Sequence, residues 1–369
     1  MKRINSIDTI RGITIFLMVF YHTLDWWLIH SDRWFIEFLL PILGPTGFSG
    51  FLFVSGFSAA IAYKSRVKKA ASSPEISITQ ARDIYLIRAL LFLAVGLIYN
   101  TILALGAGNM KWIWSWFILQ TIPVSLLLGW PFLRTPKYLR IGLGIGLLVI
   151  NDLLSPFANY FLLDYSGPLN IYVVFFYIFY HPIESFTILS YFAMFLFGTV
   201  VGDFFFDVNS INDQEVRKKS IKSVFLRPLL IVGIILAVFG IIYRFDDFLY
   251  RRTFSAMIYA IGMILIIFAI LFYLEEFEII KHKKRYRFFF YLSYYSFTIY
   301  LAHDILYFIF YKQLNIIIYW LVFIGILTFI ILLLKVMHKK LGPKASVKAQ
   351  LSTLSLIIAK RIERMKSRE

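Results

Sequence analysis

Two histidines set in apolar runs, His22 in FYHTLDWW and His303 in YLAHDIL, are the side chains best suited to chemistry at neutral pH. A neutral imidazole in an enclosed site can take a proton from a hydroxyl or amine as that group attacks an electrophile. Asp25, one turn beyond His22, is its candidate hydrogen-bond partner, and His30 follows in the next polar stretch. Arg11 and Arg88 also lie within apolar runs. A guanidinium placed there can hold a phosphate-bearing ligand through charge-assisted hydrogen bonds. Gln120, or Ser55, could help stabilise an oxyanion. Each residue also has a plainer task open to it. The arginines can snorkel to headgroups, His22 can serve a structural bond to Asp25, and His30 can be a solvated loop histidine. The chain has no Cys, which excludes a thiolate nucleophile, a thiolate metal site and a disulfide. His22, His303 and Asp304 form no compact ligand motif, so no metal is expected. Walker, GxSxG and HExxH motifs are absent.

The elements that must position these groups are membrane helices. Hydrophobic residues fill 60% of 369 positions and charged residues 16%, a balance that excludes a soluble globular domain. Hydropathy and charged punctuation predict an all-α bundle of ten transmembrane helices, at 8–29, 41–63, 84–105, 112–133, 141–161, 186–206, 228–243, 253–274, 288–310 and 315–336. The first apolar run is long enough to span, so it reads as a retained helix. With a cytoplasmic N-terminus, the inner loops and tail hold 30 of the Lys and Arg residues and the outer loops 6. That bias places both termini in the cytoplasm, in a multi-pass protein of the cell membrane. It also accounts for the net charge of +17, so no nucleic-acid partner is needed. Residues 1–340 form the membrane domain. The remainder, 341–369, reads as a basic cytoplasmic tail that either is solvated or lies as an amphipathic helix on anionic lipids. Residues 64–83 read as a polar cytoplasmic loop, and 162–185 as an outer interfacial segment or an eleventh span.

At 1.5 Å per residue, Arg11 and Arg88 fall about 5 Å inside the inner surface. His22 and His303 fall about 21–22 Å in, with Gln120 and Asp152 at about 16–18 Å. The reading is a path with fixed cations at its cytoplasmic end and imidazoles deeper in. On these residues alone, an enzyme and a transporter of a sugar, lipid or ion stand level.

Motifs in a fixed order separate the two. SIDTIRGITIFLMVFYHTLDWW carries Arg11 and His22 ten residues apart, and it resembles the Arg-x10-His signature of the acyltransferase family 3 membrane enzymes. The same stretch resembles the D-x-x-R-G opening of the heparan-alpha-glucosaminide N-acetyltransferase catalytic domain. GFSGFLFVSGFSAAIAYKSR, RALLFLAVGLIYN with WSWFILQTIPVSLLL, and LSYYSFTIYLAHDILYF are similar to later motifs of this wider group. The resemblance covers about 300 residues. It implies transfer of an acyl group, usually acetyl, from cytoplasmic acyl-CoA to an acceptor at the opposite face, here an envelope sugar, glycolipid or similar amphiphile. It puts Arg11 and His22 in the signature and His303 in the late motif, with Arg88 and Gln120 in support. In the glucosaminide enzyme the catalytic histidine falls in the following outer loop, where this chain has His30. The acyl group passes to the acceptor directly or through a transient acyl-imidazole. A homodimer is compatible with this reading.

Overall fold

A computed structural model describes residues 4–72, 77–106, 108–110, 113, 116–163, 178, 187–249, 253–277 and 287–366. Among these residues the chain is helical throughout, with no strand. Among the described residues seven helical stretches are long and apolar enough to cross a membrane: Asn5–Trp27, Trp34–Ser72, Ile78–Gly106, Ile188–Asn209, Gln214–Tyr243, Phe254–Glu276 and Ile316–Met365. The chain divides into two units. The first comprises Met1–Phe51, Lys222–Arg251 and Ile258–Gln350, the second Leu52–Ile221, Arg252–Met257 and Leu351–Glu369.

In the first unit, α1 (Asn5–Trp27) is fixed at its start by a carboxylate. Glu275, near the end of α9 (Phe254–Glu276), accepts from the backbone N–H groups of Asn5 at 2.9 Å and Ser6 at 2.6 Å, and from the Ser6 hydroxyl. A negative charge there complements the orphan N–H groups and the positive end of the helix. Asp8 accepts from Ser293 at 2.9 Å, which joins α1 to α10 (Arg287–Tyr294). At Gly12 the two backbones nearly touch, since a Cβ there would fall 2.7 Å from the Phe289 carbonyl oxygen. The glycine of the D-x-x-R-G motif is thus the residue that lets α1 and α10 close.

The predicted ninth helix, 288–310, is not continuous. It runs as α10, a turn at Tyr295, α11 (Ser296–Ala302) and a 3₁₀ stretch, His303–Phe308. No Pro or Gly lies at the break; distant groups take up the polar atoms there. The Ser346 hydroxyl donates to the Tyr294 carbonyl at 3.1 Å, the Val347 N–H donates to Thr298 Oγ1 at 3.2 Å, and the Tyr295 hydroxyl donates to the Gly342 carbonyl at 3.1 Å. These partners follow α12 (Ile316–Leu341).

The second unit holds the latter part of α2 (Trp34–Ser72), α3 (Ile78–Gly106), α4 (Ile118–Phe132), α5 (Lys137–Leu163) and α6 (Ile188–Asn209). A Cβ on Gly56 would overlap the Phe195 carbonyl and one on Gly198 the Phe53 carbonyl, so α2 and α6 cross backbone to backbone. The polar stretch predicted as a loop at 64–83 is largely helical. KSRVKKAAS, free of Gly and Pro and rich in Lys and Ala, carries α2 to Ser72, and α3 begins at Ile78. The predicted seventh helix, 228–243, matches α8 (Arg227–Tyr243), preceded by α7 (Gln214–Ser220) and a π-wound segment, Ile221–Leu226. Pro228 explains the wide turn, because its ring crowds the carbonyl four residues back. The outer segment 164–186 lies outside the described residues apart from Ile178. The tail forms α13 (Val347–Lys366).

Candidate active site

His22 and His303 meet edge to face, with ring centroids 4.9 Å apart and planes at 84°. Two features of the first unit bring them together. On α1, Arg11 and His22 are eleven positions apart, close to three turns, so both lie on one face with about 16 Å between them. Trp26 continues that face one turn beyond His22. The other feature is the chain from 303 to 316, which is sewn to the end of α1. Lys312 N–H donates to the Trp26 carbonyl at 2.8 Å, Leu314 N–H to the Trp27 carbonyl at 2.8 Å, and Ile29 N–H returns to the Leu314 carbonyl at 2.9 Å. The Trp27 indole, fully buried, donates to the Leu306 carbonyl at 2.7 Å. Asp32 accepts the Ile316 N–H at 2.7 Å and so caps α12. A histidine nearly three hundred positions away is thereby held against α1 by backbone bonds.

The two imidazoles are walled by aromatic rings. Trp26 packs 5.0 Å from His22 and stacks 5.8 Å from His303; Tyr300 lies 5.3 Å from His303, and Tyr307 sits edge-on to Trp26 at 5.6 Å. His303 is 6% exposed. Its Nδ1 is hydrogen-bonded to the Tyr300 carbonyl, which can only accept, so Nδ1 carries the proton. Nε2 then presents a lone pair. It lies 3.4 Å from the Asp304 carboxylate and has no hydrogen-bond partner among the described residues. A buried imidazole with its tautomer set by one bond and its second nitrogen beside a carboxylate is equipped to accept a proton, since the carboxylate stabilises the imidazolium.

The remaining predicted residues are placed differently. Asp25 turns to the exposed side of α1, where Arg33 reaches it at 2.8 Å. His30 opens the exposed 3₁₀ turn His30–Asp32. Arg11 is half-buried on the His22 face of α1. Arg88 and Gln120 belong to the second unit. The Arg88 guanidinium lies 5.5 Å from the Phe92 ring. Gln120 is fully buried: its amide donates to the Gly96 carbonyl at 2.9 Å, and its carbonyl accepts the Phe117 N–H at 3.1 Å. Those bonds cap α4 and tie it to α3, a positioning task that leaves one amide hydrogen and one lone pair.

Sequence reasoning overlooked two features. Trp26 and Tyr300 carry no signal of their own in the sequence, because their place beside the imidazoles depends on the long-range stitching. Arg140, predicted to sit in an inner loop, lies on α5, 1% exposed, and pairs with Asp203 of α6. The signal was Asp203 itself, a carboxylate in an apolar run that calls for a counter-charge. Among the described residues no cluster of His, Cys, Asp and Glu is arranged to hold a metal.

The family model described as heparan-alpha-glucosaminide N-acetyltransferase, catalytic, matches residues 3–243. This stretch contains Arg11, His22, Arg88 and Gln120; His303 lies beyond it. Neither a curated protein nor a solved structure matches the chain. With the match covering well over half the chain and the apolar helices described above, the protein is a multi-pass membrane protein that belongs to the heparan-alpha-glucosaminide N-acetyltransferase catalytic-domain family.

Proposed function

We propose that this protein is an acetyltransferase of the cell membrane that moves an acetyl group from cytoplasmic acyl-CoA to an extracytoplasmic sugar, glycolipid or related acceptor. The observation that carries the reading is the contact of half-buried His22 with buried His303, whose Nε2 faces the Asp304 carboxylate, on the face of α1 that also bears Arg11. An imidazole there takes the proton from the acceptor amine or hydroxyl as its lone pair attacks the thioester carbonyl. The C–S bond breaks, and the proton passes to the departing CoA sulfur. Arg11 suits the phosphate-bearing end of the donor, and the run along α1 from Arg11 to His22 suits its extended pantetheine arm. Arg88 is the second cation of this reading and Gln120 its supporting amide. Ten spans with cytoplasmic termini agree with the charge bias and with the pairing of the α1 start and the α9 end through Glu275. The broken stretch 287–308 serves as the ninth crossing.

The test is acetyl transfer by the full chain in lipid vesicles, with labelled acetyl-CoA outside and glucosamine, as acceptor probe, inside. Labelled product is expected from the native chain, and His22→Ala and His303→Gln should each lose at least about 100-fold. Unchanged rates in both variants would remove the histidine pair from the mechanism.

A further inference from the structure

The tail helix α13 offers a surface that the proposed reaction leaves unused. It starts at the end of a membrane helix: α12 stops at Leu341, and Gly342 turns the chain with φ +53°, a conformation that residues with side chains rarely adopt. A single 3₁₀ turn, Gly342–Ala345, separates the two helices. The first residues of α13 are therefore held at the level where α12 leaves the apolar layer.

Two strips run along α13. One follows Leu351, Ser355, Ala359 and Ile362, with Ser355 fully buried and Ala359 2% exposed; this is the side packed on protein. The other follows Leu354, Ile357, Arg361 and Met365 at three- and four-residue spacing, about 100° around the helix. Here Leu354 is 42% exposed, Ile357 58% and Met365 54%, three apolar side chains open to solvent. Arg361 stands exposed within this strip and Lys360 beside it, both long enough to carry their charge away from the apolar side chains. Residues 341–369 carry seven Lys and Arg against two Glu. One of those, Glu363, is engaged at 2.9 Å by the Gln80 amide. Apolar residues interleaved with cations in excess of carboxylates, on a helix that begins at a membrane boundary, complement a layer of hydrocarbon beneath anionic headgroups.

We propose that α13 is a membrane-surface helix whose Leu354–Ile357–Met365 strip enters an anionic lipid leaflet, with Lys360 and Arg361 against the headgroup phosphates. The assignment is independent of the acetyl-transfer reading.

The absence of Cys makes a site-specific test clean. Leu354→Cys and Thr353→Cys, each carrying a nitroxide label on the full chain, are compared in vesicles with and without phosphatidylglycerol in phosphatidylcholine. In the anionic vesicles the label at 354 should be open to oxygen and shielded from a water-soluble nickel complex, and the label at 353 should not. Charge removal by Lys360→Gln with Arg361→Gln should weaken docking by about fivefold per charge, from about 1 kcal/mol per basic residue. Equal accessibility of the two labels in anionic vesicles would overturn the proposal. So would shielding at 354 that ignores lipid charge, or dipolar coupling between labels on two copies.

Discussion

Each of the two units packs a polar pair between its helices, and the pairs are finished differently. In the second unit Arg140 and Asp203 meet as opposite charges, extended by Lys64 and Lys137 on Asp207 at 2.5 and 2.6 Å. In the first unit His22 and His303 meet as two rings of the same kind, and His303 Nε2 makes no hydrogen bond among the described residues but faces the Asp304 carboxylate at 3.4 Å. Opposite charges neutralise one another and hold α5 to α6, while Arg140 Nε and Nη1 and Asp203 Oδ1 make no hydrogen bond among the described residues. A buried imidazole beside a carboxylate adds little to stability, and under the proposed function it takes up the acceptor's proton. Under the proposed function, the first pair serves the fold and the second the reaction.

The sharpest way to break that contrast is to change one member of each pair. His303→Gln should abolish acetyl transfer, by about 100-fold or more, while the thermal midpoint in detergent stays near that of the native chain. An equal loss of stability would make His303 a structural residue. Asp203→Leu should do the reverse, because it strands a buried guanidinium. Unfolding should become easier by about 3–5 kcal/mol, and much of that should return when Arg140→Leu is added. Arg11→Gln, on the His22 face, should raise KM for acetyl-CoA about tenfold or more with kcat little changed, the effect of losing one charge-assisted bond to a phosphate. The smallest effect belongs to Asp25→Asn. Its bond to Arg33 is partly exposed, so stability should shift by less than about 1 kcal/mol and transfer rates should stay close to native.

Helix positions were legible in the sequence because long apolar runs and charged punctuation act locally. The runs around 8–29, 186–206 and 253–274 reappear as α1, α6 and α9 with ends shifted by a few residues. Features set by distant partners were not legible. The break at Tyr295 lacks a local breaker and is completed by Ser346 and Val347, some fifty residues on. Similar reach governs the site. Depth counting put His22 and His303 in one layer, but their contact depends on the bonds from Lys312 and Leu314 to Trp26 and Trp27. Asp25, next to His22 along the helix, faces Arg33 instead, because three residues of helix rotate it toward the exposed side. Arg140 was missed because a cation near a helix end looks like a loop charge until its acidic partner is placed beside it.

The central claim is that the acyl end of the donor comes to rest at the His22–His303 pair. The most direct measurement is photocrosslinking of the vesicle-embedded chain with an acyl-CoA bearing a diazirine on its acyl group, followed by peptide mapping. Adducts competed away by acetyl-CoA should cluster on α1 around Met18–Trp26 and on the segment Tyr300–Tyr307. Competed adducts confined to other helices, with neither of these segments labelled, would contradict the claim.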